Sequence, residues 1–343
     1  MGELLSTHTT FRLGGPADQL LTHHDPDGWT DTVQAAGERP FILGGGSNTL
    51  ADDAGYRGTV IRMATRGITT HPVGADTVDV TAQAGEPLCD LVRHAVAEGL
   101  SGVEYLGGMP GTVGAAPVQN AGAYGQQISD CLTTITAYDW THRRLTRLDA
   151  TQCGFRYRSS LFKRQPGRWT ILAVTLRLTR SRSAAPVTYS HLACALDIPL
   201  GARPPLAEAA AGVIADRRAR GLTLPTAGPD VRQAGSVFMN PPVTAAQAAA
   251  LRAAGGPVHQ DPDGVTRASA GWLLENCGYT PGLQMEPGVV CSSRRVLTLT
   301  ARDGATASGV MAALRRMARD VARTTGVELH QEPVSLHEPI LKR

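Results

Sequence analysis

The sequence predicts an α+β protein of two or three domains, and three observations carry that reading. The first 70 residues alternate short strand and helix patterns. Residues 133–180 hold three strand patterns joined by polar turns, as in an antiparallel sheet. Beyond the segment SRSAAP (181–186), Ala-rich helical segments take over. A chain of 343 residues has room for several domains of about 100 to 200 residues and a large buried core.

Each element has a local cause. In HDPDGWTDTVQAAG, Asp25 is placed to cap a helix with Pro26 just inside it, and Gly37 closes it. PFILGGGSN (40–48), GTVIRMA (58–64) and the alternating DTVDVTAQAG (76–85) read as strands, and EPLCDLVRHAVAEGL (86–100) as an amphipathic helix ending at Gly99. A glycine-rich block follows at 102–125, and then the strands TTITAYDW, RRLTRLD and RWTILAVTLRLTR. The helices PLAEAAAGVIADRRARG (205–221) and TAAQAAALRAAGG (244–256) flank an irregular loop, LTLPTAGPDVRQAGSVFMNP (222–241). In the last helix, 305–326, Val310, Met311, Leu314, Met317 and Val321 fall on one face, a core-packing stripe. No internal repeat or low-complexity tract is present.

Composition excludes several classes. With 42% hydrophobic and 18% charged residues the chain reads as globular, and 38 Gly and 22 Pro imply many tight turns. A net charge of +3, with basic residues scattered apart from short clusters such as RRAR (217–220), gives no reason to expect a nucleic-acid partner. The first 20 residues lack the basic and apolar regions of a signal peptide, and no apolar run approaches about 18 residues, so a cytoplasmic protein without a membrane partner is expected. Cys89, Cys131, Cys153, Cys194, Cys277 and Cys291 form no CxxC pair, which suits reduced, mostly buried thiols. The ten histidines are dispersed apart from adjacent His23 and His24, and no metal is expected.

Two glycine clusters carry the strongest local signal: LGGGSN (43–48) and GGMPGTVGAAPVQNAGAYG (107–125). Clustered glycines let backbone amides approach an anion closely. Neither is a Walker loop or a GxGxxG fingerprint, since no Lys follows and the spacing differs. Either alone serves equally well as a tight structural turn; two of them in one α/β region point to a pyrophosphate-bearing cofactor. In AGSVFMNP (234–241), Ser236 has no neighbouring histidine and no elbow glycine two residues on, so a serine hydrolase is a poor reading.

TTFRLGGPA, LGGGSN, GMPGTVGAAPVQNAGAYG, CGFRYRSSLFK, AGSVFMNP, SAGWLLENCGY and GVELHQEP resemble, in this order and over nearly the whole chain, the successive motifs of the UDP-N-acetylenolpyruvoylglucosamine reductase (MurB) family, type I. The resemblance implies an FAD-binding fold of the PCMH, or vanillyl-alcohol-oxidase, type in two α/β subdomains (1–66 and 67–200), plus a C-terminal α+β substrate-binding domain (201–343). It implies reduction of UDP-N-acetylglucosamine enolpyruvate to UDP-N-acetylmuramate for peptidoglycan, with NADPH as hydride donor, by a monomer. FAD would be noncovalent, because no histidine lies between His24 and His71 or between His94 and His142.

By the same resemblance Gly44, Gly45, Gly46, Ser47, Asn48, Pro110, Gly111, Thr112 and Gly114 line the FAD pyrophosphate, and Asn120, Gly122, Ala123 and Tyr124 continue along flavin and substrate. Hydride addition to the enolpyruvyl group leaves an enolate. Arg158 matches the family arginine, whose planar fork suits a carboxylate, and Glu332 the family glutamate, protonated to share that work. Ser236 matches the family's proton donor. Tyr189, Arg220, Asn240, Gln284 and Tyr124 fit positions around the UDP-sugar.

Four departures stand out: Ala115 and Ala116 replace a double glycine, Thr223 stands near a frequent lysine, and Arg295 and Ala301 replace a histidine and an asparagine. They leave two alternatives open. One is a reductase of the same chemistry acting on another nucleotide-sugar enol ether; the other is a non-catalytic flavin or nucleotide-sugar binding paralogue.

Overall fold

Strand and helix boundaries in the computed structural model, which describes residues 2–261 and 263–336, follow the predicted pattern through most of the chain. The chain divides into two units, Leu20–Gly45 with Thr59–Thr223, and Met1–Gln19 with Gly46–Gly58 and Leu224–Arg343. The LGGGSN motif spans the division, leaving Gly44 and Gly45 in the former and Gly46, Ser47 and Asn48 in the latter.

The unit containing Thr59–Thr223 is built on an antiparallel sheet in the order Arg144–Asp149, Leu132–Asp139, Trp169–Arg180, Thr77–Gln83 and Ile68–Pro72, with Leu100–Ser101 on the end of the long strand. Alternation decides its faces: Val78, Val80 and Ala82 are buried while their neighbours are half-buried. Helix Leu88–Ala97 lays Leu88, Leu91, Val92 and Ala95 into the same core, each large aliphatic side chain contributing about 1.5–3 kcal/mol. Phe41–Leu43 pairs in parallel with Tyr56–Met63, and Trp29, Tyr138 and Trp140 pack edge-to-face beside this pair.

Asp25 accepts from the Asp27 amide at 3.1 Å and Gly37 closes the first helix at φ 69°, but Pro26–Gly28 is a 3-10 turn and the α-helix proper is Trp29–Ala36. The strand expected over 40–48 stops at Leu43, because the glycines turn the chain, and extended structure resumes at Thr49–Ala51. Strand Ile68–Pro72 and helices Ser190–Ala195 and Ala270–Asn276 carried no periodicity long enough to read.

In the other unit, Gln233–Ser236, Thr298–Ala301, Val289–Cys291 and Gln284–Glu286 form an antiparallel sheet in that order. Helix Ala307–Thr325 buries Val310, Leu314, Met317 and Val321 in the same core cluster; Met311, expected in the same stripe, is only half-buried. Thr306 caps its start by accepting from the Gly309 amide at 3.0 Å. Val334–Leu336 pairs in parallel with Thr49–Ala51, which ties the end of the described chain to the start of the fold.

Cys131, Cys153 and Cys291 are buried, whereas Cys89 and Cys194 are exposed and Cys277 half-buried, so "mostly buried" holds for only half of the thiols. Among the described residues no helix is long and apolar enough to cross a membrane.

Candidate active site

In the sheet-rich unit the two glycine segments meet. A Cβ on Gly44 would sit 2.7 Å from Thr112 Oγ1 and 3.2 Å from Ala115 Cβ, and one on Gly45 would sit 3.4 Å from Gly111 Cα. At Gly44 a side chain would press on those of Thr112 and Ala115, while at Gly45 it would meet the Gly111 backbone at ordinary contact distance. Thr112 Oγ1 is buried and has no hydrogen-bond partner among the described residues; such a group costs about 1–3 kcal/mol unless something accepts or donates. Clustered glycines and an orphaned hydroxyl suit a diphosphate, so these residues fit FAD. Ala115 sits at φ −81°, ψ −25°, an ordinary helical conformation that needs no glycine, and Ala116 begins a 3-10 turn; the family's double glycine is not required here by backbone geometry.

The loop after this turn is held by Asn120, 2% exposed and at φ 46°. Its Nδ2 donates to Gln127 Oε1 at 3.1 Å and to the Arg156 carbonyl at 3.3 Å, and its Oδ1 accepts from the Ser129 amide at 3.2 Å. Its side chain thus braces the loop, and its carbonyl takes a bond from Arg158 Nη1 at 3.2 Å. Arg158 Nη2 donates to the Gly122 carbonyl at 2.9 Å, and Lys163 Nζ donates to the Arg158 carbonyl at 3.1 Å. The arginine itself is at φ 49°, a left-handed conformation uncommon for a side-chain-bearing residue. Gly122–Ala123 then pairs with Gln126–Gln127.

Tyr124 and Tyr189 also come together, with rings 5.9 Å apart and His191 5.6 Å from each. The buried Tyr124 hydroxyl donates to Asp216 Oδ2 at 2.7 Å, and burial, with the adjacent Asp216 charge, pushes the phenol well above its ordinary value. Arg220 Nη1 donates to the same carboxylate oxygen at 3.3 Å and meets His191 Nε2 at 2.5 Å. Partial burial and the Arg220 charge lower the His191 pKa, as suits a ring nitrogen that accepts. Sequence reasoning found Tyr124, Tyr189 and Arg220 but missed His191 and Asp216; the four-residue spacing from Asp216 to Arg220 on one helix was the available signal. Thr223 places its methyl 3.4 Å from where a Cβ on Gly108 would lie.

In the unit of the second sheet, Ser236 ends strand Gln233–Ser236 opposite Thr298. The Val237 carbonyl, one residue on, accepts from the Glu332 amide at 3.0 Å, and Met239 donates to the His330 carbonyl at 3.1 Å. Two residues far apart in sequence, Ser236 and Glu332, are thereby brought onto adjacent stretches of backbone, with Glu332 just past the isolated bridge of Gln331 to Phe238. Asn48 Nδ2 donates to the Glu332 carbonyl at 3.3 Å, and the Asn48 carbonyl accepts from Val334 at 2.8 Å. Gly46, at φ 63°, would place a Cβ 2.1 Å from the His8 carbonyl oxygen. Asn240 Oδ1 accepts from the Ala270 amide at 3.0 Å, and the exposed Gln284 donates to the Glu286 carbonyl. Both side chains are engaged within their own unit. Arg295 Nη2 donates to Ser236 Oγ at 3.3 Å, and Ala301 lies in the core at 2% exposure.

A family model described as an FAD binding domain matches residues 23–143, and one described as the UDP-N-acetylenolpyruvoylglucosamine reductase C-terminal domain matches residues 227–336. The chain is 42% identical over 340 residues to the UDP-N-acetylenolpyruvoylglucosamine reductase of Salinispora arenicola, covering 96% of this chain and 93% of that one. It is 38% identical over 344 residues to the protein of the same name from Thermobifida fusca, covering 97% and 96%. Among solved structures, UDP-N-acetylenolpyruvylglucosamine reductase (MurB) from Thermus caldophilus superposes with a TM-score of 0.65 at 25% identity, over 98% of each chain.

Proposed function

This chain belongs to the UDP-N-acetylenolpyruvoylglucosamine reductase family, and on that premise we propose that it reduces UDP-N-acetylglucosamine enolpyruvate to UDP-N-acetylmuramate with NADPH and bound FAD. The observation that supports this reading is the hydrogen bond from the Glu332 amide to the Val237 carbonyl at 3.0 Å, which brings the backbone of Glu332 next to that of Ser236 and Val237. Gly44, Gly45, Gly111, Thr112 and Gly114 would hold the FAD diphosphate, with Gly46, Ser47, Asn48 and Pro110 extending the same motifs. A bound FAD would supply hydride transfer from NADPH to the terminal enolpyruvyl carbon.

The remaining work falls to side chains. Arg158, its fork oriented by the carbonyls of Asn120 and Gly122, holds the substrate carboxylate and meets the charge that builds there as hydride arrives. Protonated Glu332 donates a hydrogen bond to the same developing enolate. Ser236 gives its proton to the enolate carbon, so that one C–H bond forms as one O–H bond breaks. Tyr124, Tyr189 and Arg220 bind the UDP portion, with Asn240 and Gln284 on the sugar side. A monomer acting in the cytoplasm is the proposed working form.

The test is colour. The purified protein should be yellow, bleach with NADPH, and regain colour when the UDP-enolpyruvyl sugar is added without oxygen. Recolouring by oxygen alone would point to an oxidase, and recolouring by a different nucleotide-sugar enol ether to a divergent reductase.

A further inference from the structure

Arg295 is one of the positions where the chain departs from its family's pattern, and it touches the residue that matters most. Its Nη2 lies 3.3 Å from Ser236 Oγ. We propose that Arg295 is a positioning residue for proton transfer, orienting the Ser236 hydroxyl and stabilising the oxygen anion left when Ser236 gives up its proton. The inference rests on Ser236 being the proton donor.

A guanidinium has five N–H donors and no acceptor, while a serine hydroxyl has one donor and two acceptor lone pairs. A bond between them therefore runs one way, from Arg295 to Ser236 Oγ. The serine hydrogen is left to point elsewhere, which is the condition for donating it. At 3.3 Å the bond is longer than the usual 2.9–3.0 Å, and to a neutral hydroxyl it is weak. As the O–H bond breaks and the new C–H bond forms, negative charge passes from the enolate to Oγ. The contact then joins two opposite charges, and such N⁺–H···O⁻ bonds shorten to about 2.7–2.9 Å. An interaction that strengthens only as charge develops lowers the barrier without tightening substrate binding. The serine oxygen later recovers its proton from solvent water, which balances the cycle.

The backbone on either side of the arginine is held by its surroundings. It sits in the 292–297 turn, where the Ser292 amide donates to the Thr298 carbonyl at 2.7 Å and the Val237 amide to the Leu297 carbonyl at 2.9 Å. The buried Asp230 carboxylate anchors the turn's start, accepting from Ser292 Oγ at 2.8 Å, Ser293 Oγ at 2.8 Å and the Ser293 amide at 3.0 Å. Ser236 faces Thr298 across the same sheet. Support of this kind limits how far the backbone carrying the donor has to reorganise at the moment of reaction.

The experiment follows flavin absorbance by stopped flow in wild type, Ser236→Ala, Arg295→Gln, Arg295→Lys and the double variant Ser236→Ala/Arg295→Gln. For Arg295→Gln we expect flavin reduction by NADPH near the wild-type rate, reoxidation by the UDP-enolpyruvyl sugar slowed by about 10²–10³-fold, and kcat reduced with little change in KM. Arg295→Lys, which keeps a donor and its charge, should recover part of the rate. The double variant should be no slower than Ser236→Ala. A second readout needs no flavin: in Ser236→Cys, thiol alkylation against pH, taken as the difference from wild type, should give a thiol pKa below the free value of about 8.5 that rises when Arg295→Gln is added. If Ser236→Ala reoxidises at the wild-type rate, the donor assignment fails and this inference with it. If Ser236→Ala is slow while Arg295→Gln is not, or if their losses multiply in the double variant, or if the thiol titrates alike with and without Arg295, the inference alone is overturned.

Discussion

Arg158 is tethered to Gly122: its Nη2 donates to the Gly122 carbonyl at 2.9 Å, while Nη1 reaches the Asn120 carbonyl at 3.2 Å. The glycine-rich loop and the proposed carboxylate ligand are therefore one rigid piece. Arg158→Lys keeps the charge but loses the planar fork, since a single ammonium is a point charge rather than a two-pronged donor. It should still bind FAD and accept hydride from NADPH, with substrate reduction slowed by about 10²–10³-fold. Steady-state kcat/KM alongside flavin content checks this; a lysine variant as active as wild type would remove Arg158 from the site.

Thr112 supplies a sharper test of the cofactor cradle. Its orphaned Oγ1 gains nothing within the described residues, so Thr112→Val should leave the apoprotein's stability unchanged or slightly improved. FAD affinity should fall about ten- to a hundredfold, the worth of one hydrogen bond to a charged group. Titrating apoprotein with FAD by fluorescence quenching, beside a thermal melt, separates the two effects. Gly44→Ala should be worse on both counts, because its Cβ would press to 2.7 Å from that same oxygen.

Stability at alkaline pH should be set partly by Tyr105, which is 1% exposed and donates to the Ala185 carbonyl. Burial, with the neighbouring Glu104 charge, pushes its phenol up to about 12, against about 10 in an unfolded chain. A pKa raised on folding contributes stability that is fully present below about pH 10 and lost as pH rises through the folded value near 12. The urea midpoint should therefore hold up to about pH 10 and decline between there and pH 12, less steeply in Tyr105→Phe.

What the sequence disclosed and what it hid divide on physical grounds. LGGGSN and the 107–125 block were legible because clustered glycines in that setting answer a backbone demand, and the long helix ending near Thr325 because its apolar period runs for five turns. Strand Ile68–Pro72 was not, since its residues beyond Ile68 are exposed and leave no alternation to read. Helix Ala270–Asn276 has seven residues, too few to establish a period. The contacts that organise the candidate site are non-local: Tyr124 finds Asp216 at a separation of 92 residues, and Arg295 finds Ser236 at 59. No spacing rule reaches that far, and Arg295 was visible only as a departure from its family's pattern.

The most direct test of the account is single-turnover kinetics of Ser236→Ala, each half-reaction followed through the flavin band. Reduction by NADPH should match wild type, while anaerobic reoxidation by the UDP-enolpyruvyl sugar should slow by about 10²–10⁴-fold, the usual worth of a general acid. Equal slowing of both half-reactions, or reoxidation at the wild-type rate, would contradict it.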